Sequence, residues 1–404
     1  MRQAMRVALL FVLATVSCAA PDGKGKAAGK AVKLKENTGP SWRTFHGDSA
    51  MAGLAEGNVP AKPSKLWEVK VGGAVPDTPV IGDGRIFCSV GGEKVIVLDM
   101  NGKEKWRKAL QDPTKDPSTP PPPGGGAGIA TPLIYTCGMV VFGTGSGSVL
   151  ALDGVSGKKN WEYQTGGIVM GTPNFAILEK GAKCVIIIIE QQEGVVHGID
   201  ASTGDKAWIA EPTARCDGSA AVADGKVVFG SCAAAIHVLN AVTGKYEGEV
   251  SLGEGCEMAG ALAVSEGRVY SGNRSGTLVC GDLAKAEEVW TNEDGGGGEL
   301  FTAPAVGKNR VVFFGADGSI YGLDKATGKK VWSFDSGAMV PLAPVIAGDN
   351  VIAMADGKLL FLSLADGKKG WSYTVGDEAT APAVVDGRIV VGTGTGEVIA
   401  FGRK

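Results

Sequence analysis

The chain is poor in histidine, the side chain most often used for acid–base chemistry. It has three histidines, His46, His197 and His237, and none stands at metal-ligand spacing from another histidine or a cysteine. The glycine runs Gly295–Gly298 and Gly392–Gly396 are followed by no Lys-Ser/Thr and open no helical pattern, so neither is a phosphate loop. No Ser, His and Asp motif supports a nucleophilic triad. Eight cysteines include no Cys-Cys dipeptide. The net charge is -3, low and mixed, and nothing in it suggests a nucleic-acid surface. The apolar run Val7–Val16 is too short to span a bilayer as a helix.

What the chain does have is glycine, 63 residues of it, with ordinary hydrophobicity, which implies many tight turns between short strands. It also repeats itself. GSVLALDGVSGKKNW (Gly147 to Trp161) and GSIYGLDKATGKKVW (Gly318 to Trp332) are identical at eight of fifteen positions. Related copies run from Lys94 to Trp106, Gly194 to Trp208 and Lys358 to Trp371, with weaker ones from Ala235 and Thr277. Each unit reads as four strands. An x-P-x-V A strand turns through an Asp-Gly type dipeptide into a β-branched B strand. A Gly-rich turn leads to a C strand ending in Leu-Asp, and x-x-Thr-Gly-Lys leads to a D strand carrying Trp. Gly157, Gly204 and Gly328 supply the left-handed residue of that last turn.

A strands begin near Thr78, Thr131, Thr172, Ser219, Ala261, Thr302, Ala343 and Thr380. A period of roughly 40 residues or more per four-stranded unit is that of a propeller blade. The expected fold is all-β, an eight-bladed propeller of antiparallel blades. The eighth copy ends after its C strand, Glu397 to Gly402, while Lys65 to Gly73 is a lone D strand with its Trp67. The N-terminal strand is therefore expected to complete the last blade and close the ring.

The N-terminus is read separately. Residues 1–17 form a signal peptide. Ser17-Cys18 resembles a lipobox, although Thr15 stands where Leu is usual; cleavage after Ala19 or Ala20 is the alternative. Residues 18–40, rich in Lys, Ala and Gly, read as a flexible tether, and residues 41–404 as the propeller. The protein is thus expected to be exported, at the periplasmic face of an outer membrane if Cys18 is acylated, periplasmic or secreted if not.

The Ala-x-Asp-x-x-Thr-Gly-x-x-x-Trp pattern resembles the quinoprotein-type (PQQ-like) β-propeller repeat, and SWRTFHGDSAMAGLA (Ser41 to Ala55) looks like the lead-in of its exported bacterial members. The resemblance implies that Trp67, Trp106, Trp161, Trp208, Trp290, Trp332 and Trp371 dock blade on blade. One branch of the family holds dehydrogenases that use pyrroloquinoline quinone and calcium, with a vicinal Cys-Cys pair and a Trp platform. This chain lacks the Cys-Cys pair, and Trp42 is its one Trp outside the docking set. The other branch is similar to BamB, a scaffold of outer-membrane protein assembly without a catalytic centre. The expected function is therefore a non-enzymatic, monomeric scaffold without metal or cofactor, touching protein partners of the cell envelope and a membrane through Cys18, and no nucleic acid. The alternative is a quinone-dependent oxidoreductase or small-ligand propeller.

Three further sites follow from the residues. The links from D to the next A strand gather at the central channel, so Met170, Arg215, Glu257, Met258, Phe301 and Met339 are candidate contacts at its mouth. Four prolines, Pro120 to Pro123, make a stiff rod in the link between blades 1 and 2. Pairing Ala223 with Lys226 in blade 4 sets Cys216 and Cys232 nearly opposite, so a disulfide is expected there, contributing about 3 kcal/mol in the chain-entropy model. Cys88, Cys137, Cys184, Cys256 and Cys280 find no partner by register.

Overall fold

Every Thr-Gly hairpin of the repeat folds as one edge of a four-stranded sheet, and eight such sheets form the molecule. The computed structural model describes residues 31–110, 128–178, 183–211, 213–252, 256–258, 260–338, 340, 342–376 and 378–404. The signal peptide, Cys18, the proline rod and Met339 lie outside these. Among the described residues all regular structure is β.

Blade 1 shows the unit: A strand Val80–Gly82, B Arg85–Val90, C Lys94–Asp99, D Glu104–Ala109, paired in that order. B and C strands are buried on both faces, which is why they read as continuous apolar runs such as Lys183–Ile189. D strands alternate between exposed and buried positions, as outer strands must. The eighth blade takes its A, B and C strands from Ala383–Val385, Arg388–Gly392 and Glu397–Gly402, and its D strand from Ser64–Lys70. Trp67 faces Ala400 and Lys70 faces Glu397 across that seam. The expected closure is what the chain does.

The tryptophans explain the turns. Trp67, Trp106, Trp161, Trp208, Trp290 and Trp332 each donate the indole N–H to a carbonyl in the C-to-D turn of the following blade: Met100, Gly154, Ala201, Ala241, Lys325 and Leu364, at 2.8–3.2 Å. A glycine of that turn lies against the ring. Gly204 on Trp161 and Gly244 on Trp208 both have φ near +70°, so the position needs a residue without a Cβ for two reasons at once. Trp371 instead packs among Phe361, Tyr373 and Phe401.

Blade 4 has Gly248 where the other D strands have Trp, opposite Val238. The next blade has Ala286 where the others have glycine, held at φ 57°. Both residues line a cavity of about 190 Å³ between blades 4 and 5. The ring and the glycine that makes room for it are missing together.

The expected blade 4 disulfide is corrected. Cys216 and Cys232 are separate thiols. The register is as read, with Ala221 on Val228 and Ala223 on Lys226. Pairing begins only at Ala221, however, and upstream the chain bends into the interblade link. There Cys216 donates its thiol to the Ala214 carbonyl at 3.2 Å, while the Cys232 N–H binds the Arg215 carbonyl at 2.8 Å. The backbones meet, but the Cys216 sulfur is engaged elsewhere.

Candidate functional site

A ring of eight A strands leaves a channel, and the channel-side edge of each A strand carries backbone groups without a sheet partner. Residues 42–55 supply backbone partners for six of the eight and reach a seventh through the Asn174 side chain. The segment walks around the inside of the ring. Trp42 exchanges two backbone bonds with Ile81 of blade 1, and the Arg43 carbonyl accepts from Tyr135 of blade 2. The Ser49 carbonyl accepts from the Asn174 side chain of blade 3 and from Val222 of blade 4. Ala50, Ala52 and Gly53 then serve Val264, Val306 and Ile346 of blades 5, 6 and 7. Leu54–Ala55 ends the walk as a short parallel strand on Ile346 and Ala347.

The lead-in motif is readable against this geometry. Gly47, at φ +102°, closes a tight loop that returns two N–H bonds, from Arg43 and Thr44, to its carbonyl. Asp48 caps the Ala50 N–H at 3.0 Å. Gly53 leaves space for the His46 ring, which a Cβ there would meet at 2.3 Å. His46 is fully buried, with Nδ1 2.7 Å from the Met51 carbonyl and Nε2 2.8 Å from that of Pro344. Burial pulls its pKa below the ordinary value despite those two carbonyls. The neutral ring can donate to only one of them.

The bonded residues lie within the A strands, beyond the D-to-A links, so the plug closes the channel below those links. What remains is a funnel of about 780 Å³ opening on the face of the D-to-A links, with Phe45 of the plug among its lining residues. Met170, Phe301 and Val340 line it while 49%, 48% and 68% exposed, a large apolar display for a protein surface. Asp77, Asp217, Asp356 and Glu378 also line it, and among the described residues no Lys or Arg does. Burial raises the Asp77 carboxyl above its usual range, with a hydrogen bond from Ser89 opposing. Burial also pushes Asp217 up, but hydrogen bonds from Arg215 (2.9 Å) and Gln191 (2.8 Å) and the charges of Arg215 and Arg274 hold it below its ordinary value. Arg274 pairs with Glu299 at 3.0 Å and lies over the Phe301 ring at 5.7 Å.

Of the residues expected at the mouth, Met170 and Phe301 line the funnel. Arg215 stands behind Asp217. Glu257 lies off the lining and offers its carbonyl to the Arg274 N–H at 3.0 Å. Met258 is buried beneath, against Gly230, and is corrected from a mouth contact to a core residue. Sequence reasoning missed Val340, Asp77 and the plug. The positive-φ glycines of the lead-in were the available signal. His197 and His237 hold structural bonds, to Glu190 and Tyr163 and to Ser231 respectively.

A family model described as outer membrane protein assembly factor BamB matches residues 59–172 and 192–404. The chain belongs to that family. It is similar to the BamB of Shewanella oneidensis, 24% identical over 252 residues that cover 57% of this chain and 61% of that protein. The match thus spans about three fifths of that relative's length. Among solved structures it resembles BamB from Moraxella catarrhalis, with TM-score 0.67, 19% identity, and 85% of this chain and 98% of that one covered. It equally resembles the quinohemoprotein alcohol dehydrogenase from Comamonas testosteroni, with TM-score 0.68, 16% identity and coverage of 90% and 81%. These structures share the BamB fold. Among the described residues no Trp lines the funnel: Trp42 is buried beside Ile81, and Phe45 stands in the plug. Among the described residues no three His, Cys, Asp or Glu side chains are grouped to hold a metal ion.

Proposed function

We propose that the protein is a non-enzymatic exported scaffold of the cell envelope, working in outer-membrane protein assembly, whose funnel face takes a segment of a partner protein. The observation that carries this is the blind funnel with its exposed Met170, Phe301 and Val340 over a carboxylate-lined wall. An extended segment with apolar and basic side chains matches both features. Family membership supports the setting.

The anchor fits the same picture. Residues 31–38 lie along the opposite face: Val32 bonds the Ser202 carbonyl, Lys35 that of Cys137, and the Thr38 N–H the Asp83 carboxylate. Acylation at Cys18 would therefore tie the plugged face toward the membrane and leave the funnel open away from it.

The experiment is photo-crosslinking in the native envelope from a probe at position 301, with a probe at the outer-edge position 331 as comparison. Adducts to a β-barrel assembly protein from position 301 and not from 331 support the reading. Equal labelling from both positions, or saturable binding of pyrroloquinoline quinone with calcium seen by absorbance, overturns it. Cys18→Ser should move the protein from the membrane to the soluble fraction; unchanged partitioning removes the lipid anchor.

A further inference from the structure

Two cysteines that no hairpin register could pair meet between blades 2 and 3. Cys137 sits in the A-to-B turn of blade 2 at φ 54°, with Gly138 after it. Cys184 belongs to the B strand of blade 3, Lys183–Ile189, opposite Ile177. The Thr136 hydroxyl lies 3.5 Å from the Cys137 sulfur and 3.9 Å from the Cys184 sulfur. Both thiols belong to one buried cluster with Ile186, Phe175 and Ile199. The plug contributes Arg43, whose guanidinium lies over the Phe175 ring at 4.7 Å and interacts electrostatically with both sulfurs.

We propose that Cys137 and Cys184 form a dithiol site that closes into an interblade disulfide by exchange with a disulfide-bearing oxidant, with Cys137 attacking and Cys184 resolving. The division of labour follows from position. Cys137 is at a turn and 7% exposed, whereas Cys184 is 0% exposed in a central strand. The electrostatics agree. The Cys184 hydrogen bond, followed by Thr136 and the Arg43 charge, brings the Cys137 thiol below its ordinary value, against the opposing effect of burial. The same pairing and burial push Cys184 well up. Asp48 and Glu56 face Arg43, and Lys35 lies over Gly138 while pairing with Asp153, so the charges around the site are mixed, with Arg43 acting on the sulfurs.

The chemistry balances without any other reactant. The Cys137 thiolate attacks one sulfur of R–S–S–R, the S–S bond breaks, and one RS⁻ leaves with the electron pair and takes up a proton. The Cys184 sulfur then attacks the Cys137 sulfur of the mixed disulfide and expels the second RS⁻, which receives the Cys184 proton. Two cysteine thiols are oxidised and one disulfide is reduced to two thiols. An exported protein meets such oxidants routinely. The new bond would tie blade 2 to blade 3 beside the plug.

The test treats the reduced full-length protein with 2-hydroxyethyl disulfide, blocks remaining thiols with iodoacetamide under denaturing conditions, and maps peptides without reduction. A Cys137–Cys184 linked peptide is expected, with Cys216 and Cys232 alkylated. In Cys184→Ser the mixed disulfide should accumulate on Cys137, heavier by one hydroxyethylthio group. The proposal is overturned if wild-type Cys137 and Cys184 are both recovered alkylated, if the mixed disulfide on wild-type Cys137 fails to resolve, or if either cysteine is found linked elsewhere. The wild-type map decides the matter even if the Ser variant does not fold.

Discussion

Gly244 lies so close under Trp208 that a Cβ added to it would stand 2.3 Å from Cε3 of the ring. The two residues belong to different blades, yet each dictates the other. The ring fills the seam, and its N–H finds the Ala241 carbonyl at 3.2 Å only because the turn carries no side chain there. Trp208→Ala should cost about 3–5 kcal/mol. Gly244→Ala should cost about 1–2 kcal/mol from its left-handed backbone alone, and more from the clash. Urea denaturation of both variants and the double mutant should show strong non-additivity, the double mutant being more stable than the sum predicts by about 0.5–3 kcal/mol. Strict additivity would mean that ring and turn do not communicate.

The seam between blades 4 and 5 has neither partner. Gly248 and Ala286 border a cavity of about 190 Å³ in place of an indole. A seam with lost packing should open at lower free energy than its neighbours. Native-state hydrogen exchange should therefore find the D strand Tyr246–Ser251 and the C strand Leu278–Asp282 less protected than the equivalent strands at the blade 3–4 seam. Equal protection at the two seams would count against a weak joint.

Closure and plugging can be separated by truncation. Removing residues up to Pro60 takes away the plug but leaves the closing strand Ser64–Lys70. That variant should keep the elution volume class of the full chain without aggregating and melt lower, since several buried A-strand N–H groups lose their acceptors. Removing residues up to Gly73 also opens the eighth blade and exposes a strand edge, so aggregation is expected. Size-exclusion chromatography and thermal melts distinguish the two. A soluble, equally stable second variant would show that the ring does not depend on its N-terminal strand.

Acid should weaken the fold before the carboxylates titrate. Burial lowers the pKa of His46 and of His237, the latter against the charge of Glu249. The unfolded chain takes up a proton on each near pH 6.5, while the folded chain takes it up only at lower pH. The unfolded state then binds more protons, so stability falls as pH drops below about 6.5, with a limiting slope of roughly 1.4 kcal/mol per pH unit for each histidine. Urea midpoints measured between about pH 7.5 and 5 should decline, and His237→Gln should flatten the curve. A flat wild-type profile would show that neither histidine resists protonation.

The fold was legible because its signals are local and repeated. Asp-Gly turns, β-branched runs and one Trp per unit carry their meaning within a dozen residues, and the orphan strand around Trp67 was visible as a missing piece. The site was less legible. The Cys216 and Cys232 register was correct, but the bend before Ala221 lies in a link whose path no hairpin rule specifies. The Cys137 and Cys184 contact crosses two blades, so within-blade register could not see it. The residues Ser41 to Ala55 were recognised as a motif, while their place inside the ring depends on Ile81, Val222 and Ile346 together.

That placement has a consequence in time. This segment leaves the ribosome or the export channel before any blade, yet it is the last that can find its seat. His46 touches Pro344, 298 residues later, and the walk from Ile81 to Ile346 has no path until seven blades stand in a circle. Contacts this distant in sequence are slow to form. The plug is then a signature of completion. A chain arrested in blade 6 would carry an unseated, apolar N-terminal segment, the kind of feature by which quality-control proteases could tell an unfinished ring from a finished one.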